Sequence, residues 1–291
     1  MSEIINEKVS NTDIGTADFS FNKVIDAYFE LPTASILRNI ASVVPMKMST
    51  GNVINLRRNA TTGSYETVQS PLTVNDNSAI PISTGLSIEA IQDLKNQYDE
   101  DGYELAASLL KGIVDKQEND DLITFLNTNS LSTPDLNLSN SINAENILFE
   151  LTQRVQELVI KMNTPNYRTF DAFVILPFKT AASVTALNGY LGDLEESRQR
   201  LAVSKIGKTR YFVNPDTSTT TAYVGLNESH KKYRGASSII MGDYQTEILT
   251  SSGIEDFQQR VGIINRYATT VNPLSDVGSE MLMHFDIKYL P

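Results

Sequence analysis

The sequence contains no cysteine and only two histidines, His230 and His284. Without thiols there can be no disulfide, no thiolate zinc site, no iron–sulfur cluster and no cysteine nucleophile. Two histidines cannot build a multi-histidine metal centre. Long apolar runs are also missing. The longest, Ala172 to Phe178, falls far short of the ~20 residues that span a bilayer. The N-terminus, Met1-Ser2-Glu3-Ile4-Ile5-Asn6-Glu7-Lys8, carries acid and no apolar stretch, unlike a secretory signal. These features predict a soluble chain made in a cytoplasm. Positive charge is in deficit too: 24 Lys+Arg against 35 Asp+Glu leave a net charge of -11. Such a chain has no sequence-wide means of neutralising phosphates, which argues against a dedicated nucleic-acid binder.

What remains is sufficient for a core. Hydrophobic residues make up 41% of the 291 residues, the usual share for a globular protein of one large or two ordinary domains. Residues 1 to 22 are polar and aperiodic and read as an extended arm. Lys23 to Phe29 read as a candidate short helix ended by Leu31-Pro32, and Ile36, Leu37, Ile40, Val43 and Val44 make an apolar stretch ending at Pro45. From Asn52 to Arg58 the pattern turns to period two, and after Gly63 it alternates again from Ser64 to Gln69. The whole stretch 51–85 is strand-like and thin in apolar residues. A two-stranded ribbon is marginal in water, so it must lean on its own domain or on another subunit.

Helical periodicity begins near Ser87 with Ile88, Ile91, Leu94 and Tyr98. A longer helix of about 25 residues opens at Asp101 with Glu104 three positions on, a capping-box arrangement. Its apolar positions run from Leu105 through Leu109, Ile113 or Val114 and Leu122 to Phe125 and Leu126, with Lys111, Asp115, Lys116 and Glu118 on an opposite, charged face. Asn127 to Asn143 reads as a loop. Residues 144–162 give the cleanest stripe: Ile147, Leu148, Leu151, Val155, Leu158, Val159 and Met162. Then follow a buried strand at 172–176, a helix at 178–187, and strands near 209–214, 221–226, 237–249, 259–270 and 282–289. A β-arm, then helices, then mixed segments returning to strands define an α+β chain.

The chemistry motifs are weak. No glycine-rich phosphate loop or G-x-S-x-G elbow occurs, and Gly207-Lys208-Thr209 lacks its upstream glycine and reads as a turn between a helix and a strand. Ser108-Leu109-Leu110-Lys111 matches S-x-x-K without its companion motifs. The acidic groups Asp99-Glu100-Asp101, Asp120-Asp121 and Glu195-Glu196 fit solvated surfaces or helix starts better than a metal-dependent hydrolase. His230 with Lys231, Lys232 and Arg234 forms the densest basic cluster and reads as an exposed loop. His284 reads as a sheet residue. No catalytic, cofactor or metal site is assigned, and the chain is read as a non-enzyme.

One resemblance spans residues 28–275. Leu31-Pro32, Ile36, Val43-Val44-Pro45-Met46 and Ser49-Thr50-Gly51-Asn52-Val53-Ile54-Asn55-Leu56-Arg57 are similar to the N-terminal signature of the T-even-type phage major head proteins. Ile91-Gln92-Asp93-Leu94-Lys95 with Glu104-Leu105-Ala106, then Val213-Asn214-Pro215, then Phe257-Gln258-Gln259-Arg260-Val261-Gly262, Arg266-Tyr267 and Val271-Asn272-Pro273 resemble later segments in the same order. The chain departs from the family at Phe29-Glu30, where an arginine pair is usual, and at Asn119-Asp120-Asp121. It also has no room for the inserted domain of the large head proteins.

The resemblance implies the Hong Kong 97-type capsid fold. It assigns residues 1–48 to an N-terminal arm and first helix and 49–86 to an extended loop lying over a neighbouring subunit. It assigns 87–165 with 255–291 to a peripheral domain around a spine helix, and 166–254 to an axial domain. It further implies a major capsid protein of the virion, assembled in the host cytoplasm into pentamers and hexamers. The shell would enclose double-stranded DNA without sequence-specific binding, alongside portal, scaffold and decoration proteins and without a membrane. Arg57, Arg58, Tyr65, Glu66, Arg266 and Asn272 are the expected inter-subunit contacts. Some shells of this fold carry a Lys–Asn isopeptide bond from a lysine in the extended loop, but no lysine lies between Lys47 and Lys95. A vertex protein or an encapsulin-type compartment is the alternative within the same fold.

Overall fold

The computed structural model describes residues 35–58, 62–74, 82–86, 102–139, 144–166, 171–186, 202–206, 208–214, 216, 218–227, 237–252, 259–275 and 280–290. The helices expected at 23–29 and 88–98, and the Asp101 cap, lie outside these residues. The chain divides into two compact units.

One unit includes Val74–Gln117 and Asp243–Ala268. It holds the first part of helix α2 (Gly102–Asn129) and the antiparallel pairing of β4 (Ile82–Leu86) with β12 (Gln259–Val271), in register from Gln259↔Leu86 to Ile263↔Ile82. Strand β11 (Ile239–Ser252) lies on the other side of β12. Val261 and Ile263 are buried there, as alternate residues on one face of a strand should be.

The other unit takes Ala34–Thr73, Glu118–Gly242 and Thr269–Pro291. The apolar stretch 36–45 splits into two elements, α1 (Ile36–Ile40) and β1 (Ser42–Pro45), and β1 is hydrogen-bonded to β11. Ser35 caps α1, its Oγ accepting from Arg38 N at 3.3 Å. Asn119 Oδ1 of α2 accepts from Ile36 N at 2.7 Å. Beside it, Glu118 is fully buried and accepts from Arg38 Nε at 2.9 Å and Nη2 at 2.8 Å. Of the charged face expected on α2, Lys116 alone is exposed. Lys111, Asp115, Glu118 and Asn119 are buried, while Ile113 is exposed. A buried carboxylate is costly unless a partner of opposite charge and hydrogen bonds meet it, and the Arg38 guanidinium supplies both.

A sheet in the order β5-β13-β10-β7-β9-β8 fills this unit. Its strands are β5 (Leu131–Ser132), β13 (Leu282–Leu290), β10 (Thr221–Asn227), β7 (Asp171–Leu176), β9 (Thr209–Val213) and β8 (Ala202–Ile206). A further strand, β6 (Leu136–Ser139), pairs parallel with β13. Both β5 and β6 fall in the stretch expected to be a loop. The central strands β7 and β10 are apolar without alternation and buried along nearly their whole length. Helices α3 (Ala144–Asn166) and α4 (Phe178–Ala186) cover the sheet, and Leu151, Val155, Leu158 and Met162 of α3 are all buried in one cluster with Val174, Tyr211, Val224 and Phe285. Gly225 is required by this packing. A Cβ there would lie 2.5 Å from Phe173 Cε1 and 2.7 Å from Leu282 Cδ2, on the two strands flanking β10.

Residues 144–166 and 282–290 lie on the same sheet as β7 and β10. The cause is strand pairing: β13 inserts beside β10 over Thr221↔Asp286 to Gly225↔Leu282, and α3 packs on that sheet. Pairing between segments this far apart in the chain leaves no local trace.

Candidate inter-subunit surface

Strands β2 (Thr50–Arg58) and β3 (Tyr65–Thr73) form a two-stranded antiparallel hairpin, paired from Thr50↔Thr73 to Arg58↔Tyr65. Gly63 takes a φ of 70°, a backbone region that glycine enters without a Cβ penalty, and Thr62 and Ser64 link their hydroxyls at 2.6 Å beside it. The hairpin has two chemically different faces. Val53, Asn55 and Arg57, with Glu66, Val68, Ser70 and Leu72 opposite, are half-buried or buried. Asn52, Ile54 and Leu56, with Tyr65, Thr67, Gln69 and Pro71, are exposed. The register places Ile54 opposite Gln69 and Leu56 opposite Thr67, so the outer face is continuous along the ribbon. Ile54, Leu56 and Tyr65 are 63%, 56% and 70% exposed.

The inner face explains how so thin a ribbon holds its place. Val68 packs against the main core cluster. Leu72 is buried beside Gly242, where Met46 and Leu72 occupy the space that a side chain would take. Asn55 Nδ2 donates to Asn272 Oδ1 at 2.9 Å. Arg57 donates to Glu66 Oε1 from Nε at 2.7 Å and from Nη2 at 2.6 Å.

The six expected contact residues thus have distinct placements. Arg57 and Glu66 are brought together as a cross-strand ion pair that stiffens the hairpin. Tyr65 stands on the outer face, and Arg58 pairs with it in register at the distal end. Asn272 is buried and bonded within its own chain. Arg266 lies in β12, half-buried in the other unit, with its Nε lacking a hydrogen-bond partner among the described residues. The outer face also carries Ile54 and Leu56, which the sequence reading did not single out. Their signal was the adjacent Val53-Ile54 pair, which in a strand must send one apolar side chain to each face.

The residues weighed for chemistry do not converge. His284 lies in β13 with Nδ1 2.8 Å from Ser130 Oγ and its ring tilted against Tyr223. Lys208 sits in a turn between two strands, β8 and β9, and not between a helix and a strand. Asp120 and Asp121 are exposed on α2. The His230 cluster, Asp99-Glu100-Asp101 and Glu195-Glu196 lie outside the described residues. Among the described residues no group of three or more His, Asp or Glu can hold a metal ion, and no helix is long and apolar enough to cross a membrane.

No protein-family model and no curated protein matches the sequence. Solved structures do match the fold. The capsid of cyanophage P-SCSP1u aligns with a TM-score of 0.55 and 7% identity, covering 97% of this chain and 93% of that one. A phage-related protein from Bordetella bronchiseptica RB50 aligns at 0.55 and 8%, covering 90% and 94%. A virus-like particle from Pyrococcus furiosus aligns at 0.54 and 12%, covering 87% and 92%. The chain has the α+β Hong Kong 97-type capsid fold.

Proposed function

We propose that this chain is the major capsid protein of a tailed phage of the T-even type, assembling as pentamers and hexamers into an icosahedral shell around double-stranded DNA. The hairpin carries this reading. A ribbon with an exposed apolar face of Ile54, Leu56 and Tyr65 suits a second copy of the chain that would cover it. The fold likeness, covering more than nine-tenths of the cyanophage capsid chain, supports the same role. The net charge of -11 suits a container wall, because like charge keeps packaged DNA from adhering. Many weak contacts suffice in such an assembly, since each subunit meets several neighbours at once.

On this reading the protein is a non-enzymatic virion component that meets portal, scaffold and decoration proteins. The unit with Val74–Gln117 and Asp243–Ala268 is the peripheral domain, and the unit with the seven-stranded sheet is the axial one. The contact candidates remain Arg57, Arg58, Tyr65 and Glu66 on the hairpin, Arg266 on β12 and Asn272, joined by Ile54 and Leu56.

The test is particle mass. Expressed alone, the 32.2 kDa chain forms megadalton shells, tubes or rings, seen by mass photometry and negative-stain microscopy. The double variant Leu56→Asp/Tyr65→Ser stays a subunit whose unfolding free energy is within about 0.5 kcal/mol of the parent, as for surface changes generally. A parent chain that remains a subunit at every concentration tried, both alone and when co-expressed with the scaffold of its own phage, would overturn the proposal. Shells that enclose a co-purifying enzyme instead of DNA would move the role to an encapsulin-type compartment.

A further inference from the structure

We infer that Asn55 and Asn272 form a polar latch that sets the pose of the β2–β3 hairpin against the body of its unit. Asn55 lies midway along β2, opposite Val68 and well beyond the stem where Leu72 meets Gly242. Its partner is not a surface side chain. Asn272 is 1% exposed and sits at the end of β12, where its own N–H donates to Ser238 O at 2.9 Å.

The orientation of the Asn272 amide is determined by its neighbours. Its Nδ2 donates to Ser237 O at 2.7 Å, and its Oδ1 accepts from Leu274 N at 3.0 Å. A carbonyl can only accept and a backbone N–H can only donate, so the amide cannot be flipped without losing both bonds. Oδ1 is therefore held facing Asn55, ready for a donor. The network continues inward. Ser237, itself fully buried, donates from Oγ to Ile40 O at 2.5 Å and from N to Ser42 Oγ at 3.2 Å. The hairpin is thus hydrogen-bonded, through Asn272 and Ser237, to the junction of α1 and β1 from which it departs.

Apolar contacts at the stem can slide with little penalty, whereas a hydrogen bond to a rigid buried acceptor holds one geometry. The latch selects one angle of the ribbon and so presents Ile54, Leu56 and Tyr65 in one direction. The bond is half-buried, which makes it exchangeable: an incoming surface with its own acceptor for Asn55 can release the ribbon. That consequence for assembly rests on the shell reading; the latch itself does not.

The absence of cysteine allows a clean test. Ser64→Cys near the hairpin turn and Gln156→Cys on the exposed side of α3 carry spin labels, in a Leu56→Asp background that prevents docking of the outer face. Pulsed EPR on the intact chain then gives the distance distribution. With Asn55 present a single narrow peak is expected. Asn55→Asp keeps the shape but removes the donor and turns a carboxylate toward Oδ1, while Asn55→Ala removes the group. Each lowers the ratio of latched to unlatched populations by about fivefold or more, the worth of one ordinary hydrogen bond, with the melting curve checking that the fold is retained. A distribution unchanged in both variants would overturn the latch and leave the shell reading untouched. A broadened distribution, in a chain whose parent never assembles, would establish the latch and overturn the shell reading.

Discussion

At the scale of single residues, Tyr211 shows what burial does to an ionisable group. It projects from β9, which runs parallel to β7 with Tyr211 in register with Val174, and it is fully buried. Removal from water disfavours the phenolate, and burial pushes its pKa up to about 12. In the unfolded chain the phenol titrates near ~10. Between these values the unfolded state has lost the proton and the folded state still holds it, so stability falls as pH rises. The contribution is fully present below ~10, and it declines by roughly 1.4 kcal/mol per pH unit from there to about 12. Tyr223, raised by burial and then by the charges of Asp286 and Asp216, acts in the same direction. Urea unfolding of the subunit at stepped alkaline pH should show this decline, and Tyr211→Phe should make it shallower. An identical slope in Tyr211→Phe would exclude Tyr211 as its source.

At the scale of the element, the hairpin is stabilised by what lies across it. Arg57 and Glu66 face each other in register, and cross-strand ion pairs of this kind are worth about 0.2–1 kcal/mol. The amount is small for the whole molecule but matters for a ribbon of two strands, which has little else to order its distal half. Arg57→Glu places two carboxylates opposite each other and should loosen the ribbon and lower the yield of particles. Restoring the pair in reverse, Arg57→Glu with Glu66→Arg, should recover both. Amide exchange on β2 and β3 reads the loosening, and particle mass reads the yield. If the reversed pair assembles no better than the single variant, Arg57 acts on a neighbouring subunit and not through Glu66.

At the scale of the whole molecule, the distribution of lysine bears on how a shell of this chain would be locked. The hairpin and its flanks contain none, since none occurs between Lys47 and Lys95. Particles boiled in detergent should therefore run as the 32.2 kDa chain, without a covalent ladder arising from the hairpin. A ladder mapped by mass spectrometry to residues 49–86 would refute this. On the shell reading, contacts made by the hairpin would then rest on its buried surface, which gives the outer face of the ribbon its weight.

The sequence by itself determined the periodic elements. The stripe of Leu151, Val155, Leu158 and Met162 is α3, the alternation from Asn52 to Gln69 is the hairpin, and the unbroken run from Ala172 to Leu176 is a central strand. These are local patterns, and backbone geometry reads them directly. Only the tertiary structure decided which faces were inside. Glu118 and Lys111 look solvated in sequence because charge normally seeks water, yet Glu118 is buried because Arg38, remote in the chain, meets it. Asn272 looks exposed in sequence because amides normally seek water, yet it is buried and accepts from Asn55, remote in the chain. The placement of β13 beside β10, and of α3 on the same sheet, likewise came from pairings between distant segments. Burial of a polar group depends on a partner that folding brings to it, and no window of sequence contains both.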